Sequence, residues 1–182
     1  LRYGGNAAMK PVVLYASRYG HTQRYAQWLG ESLGCPVWNV KGLSPASLAS
    51  YDTIILGGSL YAGGMGGLSF LTRHAKAQKW VLFTCGVADP ALEVTRQNIR
   101  SNVEKVLPEN RRDTPLFFLR GGLDYSRLSP LHRLMMWALR QAILKKKDLT
   151  EEDRQILNTY GKTLDFTRRE TLQPILDFLQ KA

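Results

Sequence analysis

The amino-acid sequence predicts an α/β fold of the doubly wound type, a parallel sheet covered by helices on both faces. Three observations carry that prediction. Short apolar runs recur along the chain, around residues 12–14, 54–56, 81–83 and 116–119, without the polar alternation of a strand exposed on one side. Segments with helical periodicity separate them, and the runs end in glycine-bearing turns.

The first strand, Val12-Val13-Leu14-Tyr15-Ala16, runs into Ser17-Arg18-Tyr19-Gly20-His21-Thr22. A helix follows, with Tyr25, Trp28, Leu29 and Leu33 on one face and Gly34 placed to stop it. Residues 36–40 suit a short second strand, and Ser44-Pro45 reads as a cap and first-turn proline for a brief helix through Leu48. Residues 51–59 form a third strand breaking into the glycine-dense stretch 60–67, before a helix over about 68–77. A fourth strand covers 80–86, and Asp89-Pro90 is placed to cap a helix lasting to about Leu107. The last buried strand, 116–119, ends at Gly121-Gly122.

Between that strand and the final helix, predicted over 168–181 with Thr167-x-x-Glu170 as a capping box, lies an insert of about residues 123–167. Ser129-Pro130 opens a helix in it whose Leu131, Leu134, Met135, Ala138, Leu139 and Ala142 share one face. Arg133, Arg140 and Lys147 lie on a narrow polar face, with Lys145-Lys146-Lys147 at the end, and 150–153 read as the start of another helix. Two readings fit the first of these helices: a core-packing element with a solvated basic edge, or an amphipathic surface at 130–147 that contacts an anionic membrane or shapes a pocket.

At 182 residues, 44% hydrophobic and 22% charged, the chain has single-domain length, and residues 1–8, LRYGGNAA, read as a remnant outside a domain covering 9–182. Cys35 and Cys85 are far apart, and His21, His74 and His132 have no ligand spacing, so neither a disulfide framework nor a metal site is expected. A phosphatase-type Cys-x5-Arg would need arginine at position 91, where Ala91 stands. The expected location is the cytoplasm, at most peripheral to a membrane. The net charge of +10 points to an anionic partner, but no helix-turn-helix, zinc-finger or RNP-like pattern accompanies it, so no nucleic acid is expected.

In a doubly wound sheet, ligands sit outside the carboxyl ends of the strands, where three turns belong: 17–22, 59–64 and 84–89. The first offers hydroxyls, a glycine and the unpaired N–H groups of a helix start, a setting for phosphate, although a plain connection capped by Ser17 fits the same letters. It lacks the lysine of an NTP-binding loop and the three glycines of a dinucleotide fingerprint.

Ser17-Arg18-Tyr19-Gly20-His21-Thr22 resembles the FMN phosphate loop of flavodoxins, with Tyr19 replacing the middle hydroxyl residue. The resemblance implies a flavodoxin-like three-layer sandwich with a five-stranded parallel sheet of order 2-1-3-4-5 and FMN as cofactor. It places Ser59, Leu60, Tyr61 and Ala62 on one side of the flavin, with Tyr61 as the stacking aromatic, and Cys85, Gly86, Val87 and Ala88 on the other. Gly58-x-x-Tyr61 and Gly121-Gly122-Leu123-x-Tyr125, leading into a basic, Met-rich insert with Arg133, Met135 and Met136, resemble a narrower group, the flavodoxin-fold quinone-linked protoporphyrinogen IX dehydrogenases. That likeness implies an oxidoreductase passing electrons from an apolar, porphyrinogen-like substrate to a quinone, the alternative being a soluble electron carrier. It names no side-chain acid or base, so the catalytic residues stay unassigned.

Overall fold

The computed structural model describes residues 9–61 and 64–181. Residues 1–8, and with them the expectation of a leading remnant, lie outside the described residues, as does Ala62. The parallel strands are β1 (Pro11–Ala16), β2 (Val37–Asn39), β3 (Thr53–Tyr61), β5 (Lys79–Gly86) and β6 (Leu116–Arg120), side by side in the order β2-β1-β3-β5-β6. This is the expected order of five. The sheet also carries β4 (Gly64–Met65), antiparallel to the end of β3. The third strand therefore continues through Tyr61, and part of the expected glycine-rich loop is strand.

Successive side chains of a strand point to opposite faces, and the core divides accordingly. Val12, Leu14, Ile54, Leu56, Trp80 and Leu82 face one way, beneath α2 (Leu68–His74) and α3 (Glu93–Glu104). Val13, Ile55, Val81 and Phe83 face the other, beneath α1 (His21–Leu33) and the final helix α6 (Gln173–Lys181). Trp28 is half-buried against this second layer. Gly34 ends α1 in the left-handed conformation with φ +62°.

Two cap expectations fail for identifiable reasons. α3 starts at Glu93, three residues after Pro90, because Asp89 makes a turn by accepting the Ala91 N–H and gives its other oxygen to Arg120. Thr167 does not cap the final helix, because its N–H and hydroxyl both bind Asp165; a 3-10 turn over 169–172 leads into α6 instead.

The insert rises from a two-strand antiparallel base, β7 (Gly122–Leu123) with β8 (Leu164–Asp165). Its helices are α4 (Pro130–Leu144), capped by Ser129, and α5 (Glu151–Thr159), closed by a reciprocal capping box between Thr150 and Asp153. The core-packing expectation for α4 is overturned. Leu131, Leu134, Met135, Ala138, Leu139 and Ala142 are all exposed, while His132 and Ile143 are buried and Met136 and Arg140 half-buried. At 100° per residue the buried four fall on one stripe and the apolar arc on the rest. The sheet faces are already covered by α1, α6, α2 and α3, and among the described residues α4 packs on α5, the first turn and Tyr61 at the end of β3.

Candidate functional site

Register brings the predicted turns together. Ala16 pairs with Gly58, and Gly58 with Thr84, so β1, β3 and β5 end side by side at one edge of the sheet.

The first turn closes when the Gly20 N–H donates to Ser17 Oγ at 3.0 Å. Gly20 is the N-cap of α1 with φ +95°, a conformation L side chains rarely adopt. It aims the first-turn N–H groups of α1 outward, and no acidic residue in that turn competes with an incoming anion. Thr22 is buried beside the Cys85 thiol, which burial pushes up to about 12, the Thr22 hydroxyl opposing weakly. Cys85 is therefore a small apolar wall residue rather than a nucleophile.

The second turn is held by the β3–β4 pairing and by the Gly66 N–H donating to the Ser59 carbonyl at 3.0 Å. It touches the third turn directly, since a Cβ on Gly86 would stand 2.9 Å from Leu60 Cδ1. In the third turn the Gly86 carbonyl accepts the Gly121 N–H at 2.6 Å, and Arg120 Nε donates to the Val87 carbonyl at 3.2 Å. Arg120 also pairs with Asp89 at 3.2 Å and lies over the Phe166 ring, 3.8 Å from its centroid.

The insert locks onto this edge through His132. Its two ring nitrogens meet the Arg18 guanidinium and the Tyr19 hydroxyl, and its ring lies 4.7 Å from that of Tyr61. Burial first, and the Arg18 charge second, hold His132 below the ordinary histidine range, so it is neutral at pH 7. Arg18 also lies 4.6 Å over Tyr61, and the Tyr61 hydroxyl donates to Met135 Sδ at 3.1 Å. Arg18 and Tyr19 thus tie the first turn to α4, the exposed Arg18 being held by His132 and Tyr61.

These elements enclose a cavity of about 620 Å³. Ser17, Tyr19, His21, Thr22, Ser59, Leu60, Tyr61, Cys85, Gly86, Val87 and Ala88 line it, as expected residues brought to one place. Arg18 and Gly20 do not line it; Arg18 is exposed and reaches it through its contacts with Tyr61 and His132, and Gly20 shapes the first turn. Burial lowers the pKa of His21, which packs against Gly122. Sequence reasoning missed several wall residues, Arg120 and His132 among them. Arg120 ends the last parallel strand, where the carboxyl-edge rule applies as much as to β1 or β3. His132 stands off the apolar face of its helix, on the stripe shared with Met136 and Ile143.

The open helix start, the left-handed glycine and the flanking hydroxyls fit a phosphate monoester, and the apolar walls formed by Leu60, Tyr61, Val87 and Ala88 fit a flat ring. The family comparison gives the same direction. The sequence profile of the flavodoxin domain matches residues 12–150. Among solved structures, oxidised flavodoxin 2 from Bacillus cereus is 19% identical, with 82% of this chain and 93% of that one covered and a TM-score of 0.45. Oxidised flavodoxin 1 from Bacillus cereus is 15% identical, with 94% and 98% covered and a TM-score of 0.42. The two-electron reduced flavodoxin of Megasphaera elsdenii is 16% identical, with 60% and 84% covered and a TM-score of 0.37. No curated protein matches the chain. By the profile match across most of its length, and with a phosphate-ready turn where the profile begins, the chain belongs to the flavodoxin domain family, and its cofactor is FMN.

Proposed function

We propose that the protein is an FMN-dependent oxidoreductase that takes electrons from an apolar substrate of the protoporphyrinogen type and delivers them to a quinone while resting on an anionic membrane surface. The observation that carries this reading is the orientation of α4. One edge of the helix roofs the cavity through His132, Met135, Met136 and Leu139, and the rest exposes Leu131, Leu134, Trp137 and Leu144. A soluble electron carrier gains nothing from such a face, which is costly to leave in water. No helix among the described residues is long and apolar enough to cross a membrane, so contact would be lateral.

Ser17, Thr22 and the N–H groups of the first turn would hold the FMN phosphate, with 59–61 and 86–88 flanking the ring. Bound FMN supplies the electron chemistry. The chain itself orients and shields. Tyr61 is held in place by Met135 and Arg18, and α4, which roofs the cavity, would shield a bound ring from water. Arg133, Lys145 and Lys147 supply charge beside the apolar arc; Lys146 does not, because its ammonium is held by Asp153 at 2.7 and 2.9 Å.

Co-sedimentation with phosphatidylglycerol vesicles tests the reading when followed together with quinone reduction by the FMN-loaded protein. Binding should be strong at low ionic strength, fall with salt, and weaken with quinone turnover in Leu134→Asp, while FMN stays bound. A protein that carries FMN but ignores vesicles and quinones would be a soluble carrier.

A further inference from the structure

The flavin turns account for only one side of the cavity. Its wall continues along α3 and α5, which contribute Thr95, Asn98 and Asn102 from one helix and Gln155 and Thr159 from the other. Ile99, Ile156 and Leu139 fill the spaces between these polar groups. On α3 the positions are spaced by three, four and seven residues, so a single face of the helix is turned to the cavity. Thr95 is only 2% exposed, and its hydroxyl has no hydrogen-bond partner among the described residues. A buried hydroxyl is costly to leave unbonded, and one at the edge of a cavity is placed to serve a ligand.

We infer that this α3–α5 chamber is a second binding site, for a neutral, flat, largely apolar molecule with hydrogen-bond-accepting oxygens. The Thr95 hydroxyl and the side-chain amides of Asn98 and Asn102 are the donors, and the isoleucines and Leu139 cover the faces. Charge decides against an anion. Arg120, the one cation in this wall among the described residues, is engaged by Asp89 and the Val87 carbonyl, and Glu152 adds a carboxylate. The inference rests on the flavoprotein reading for its purpose, since the ligand would sit beside the flavin, but the chamber is made by the chain alone.

Equilibrium dialysis with duroquinone as the neutral probe and anthraquinone disulfonate as the anionic one, with and without FMN, tests it. Duroquinone should bind better than the disulfonate. Thr95→Val, which keeps the shape and removes the hydroxyl, should weaken duroquinone about tenfold. Thr159→Trp, which fills the chamber from the half-buried face of α5, should abolish binding. FMN affinity should change less than twofold in both. Equal duroquinone affinity in parent and variants, or preference for the disulfonate, overturns the chamber. Loss of FMN with Thr95→Val would assign the hydroxyl to the flavin and overturn it too. A parent that binds no FMN defeats the flavoprotein reading alone, because the FMN-free dialysis still reads the chamber.

Discussion

Two glycines of one helix separate what the phosphate turn does from what it merely costs. Gly20 at the start of α1 and Gly34 at its end both hold left-handed backbone, φ +95° and +62°, and among the described residues a Cβ on either would meet no atom within 4 Å beyond its chain neighbours. Alanine at either position is therefore opposed by conformation and not by crowding, and each should destabilise the FMN-free protein by about 1–2 kcal/mol. Their effects on FMN should differ. Relief of the strain at Gly20 rotates the turn and swings the first N–H groups of α1 off the phosphate, whereas relief at Gly34 disturbs only the far end of the helix. Gly20→Ala should lower FMN affinity at least tenfold, about 1.4 kcal/mol, and Gly34→Ala should leave it unchanged. Thr22→Ala adds a side-chain test, since a buried hydroxyl donating to a charged phosphate is worth about 1.5–3 kcal/mol, a loss of roughly ten- to hundredfold that Thr22→Ser should largely restore. FMN fluorescence quenching gives the affinities and thermal unfolding without FMN gives the stabilities. If Gly20→Ala bound FMN like the parent, or if Gly34→Ala lost it equally, the phosphate would not sit on this turn.

Further outcomes follow from single contacts. Reversing Lys145 and Lys147 to glutamate should weaken vesicle binding by at least about 2 kcal/mol at low salt, near 1 kcal/mol for each cation removed, and salt should erase the difference. The Asp165 carboxyl, against the opposing effect of partial desolvation, is held at about 2 by the Thr167 hydroxyl and N–H and by Arg24. A folded value below the ordinary aspartate value of about 3.9 stabilises above that pH and is lost as pH falls towards 2, so acid titration of the parent should show a step there that Asp165→Asn lacks. Because the pair with Arg24 is nearly half exposed, the step should be small, at most about 1 kcal/mol. Thr95→Val should raise the stability of the ligand-free protein by about 1 kcal/mol on calorimetry, since it removes an unbonded buried hydroxyl.

The fold was legible because unbroken apolar strands, glycine turns and Gly34 leave few alternatives, and the turns after β1, β3 and β5 could be placed before any coordinate was known. What the letters could not show was the orientation of α4. The periodicity of Leu131, Leu134, Met135 and Ala138 identifies a face, but a core and a lipid surface reward the same face. Only the prior covering of the sheet by four other helices turns it outward. Cap expectations at Asp89 and Thr167 failed because other groups compete for the same atoms: Arg120, from a distant strand, takes one oxygen of Asp89, and Asp165, two residues before Thr167 and itself paired with Arg24, takes the Thr167 hydroxyl and N–H. The role of Arg18 was equally hidden, because its partners Tyr61 and His132 are 43 and 114 residues away along the chain.

The small ladder at the foot of the insert has a consequence for how such a protein can change. Gly122 pairs with Asp165 and Leu123 with Leu164, so the chain leaves the sandwich and returns to it at neighbouring points. Paired residues in an antiparallel ladder have their Cα atoms about 4.5–5.5 Å apart. Everything between is thus a cassette, and closing a loop of a different length there costs only a little more entropy for each doubling. Shortening, lengthening or exchanging residues 124–163 leaves the pairing of β1, β3 and β5 intact, and the insert reaches their ends through the contacts of His132 and Met135 with Arg18, Tyr19 and Tyr61. The strand ladder and the insert can therefore vary separately wherever those contacts are kept, and a swap of this segment between relatives, retaining His132 and Met135, is the direct way to change the insert without rebuilding the turns at the strand ends.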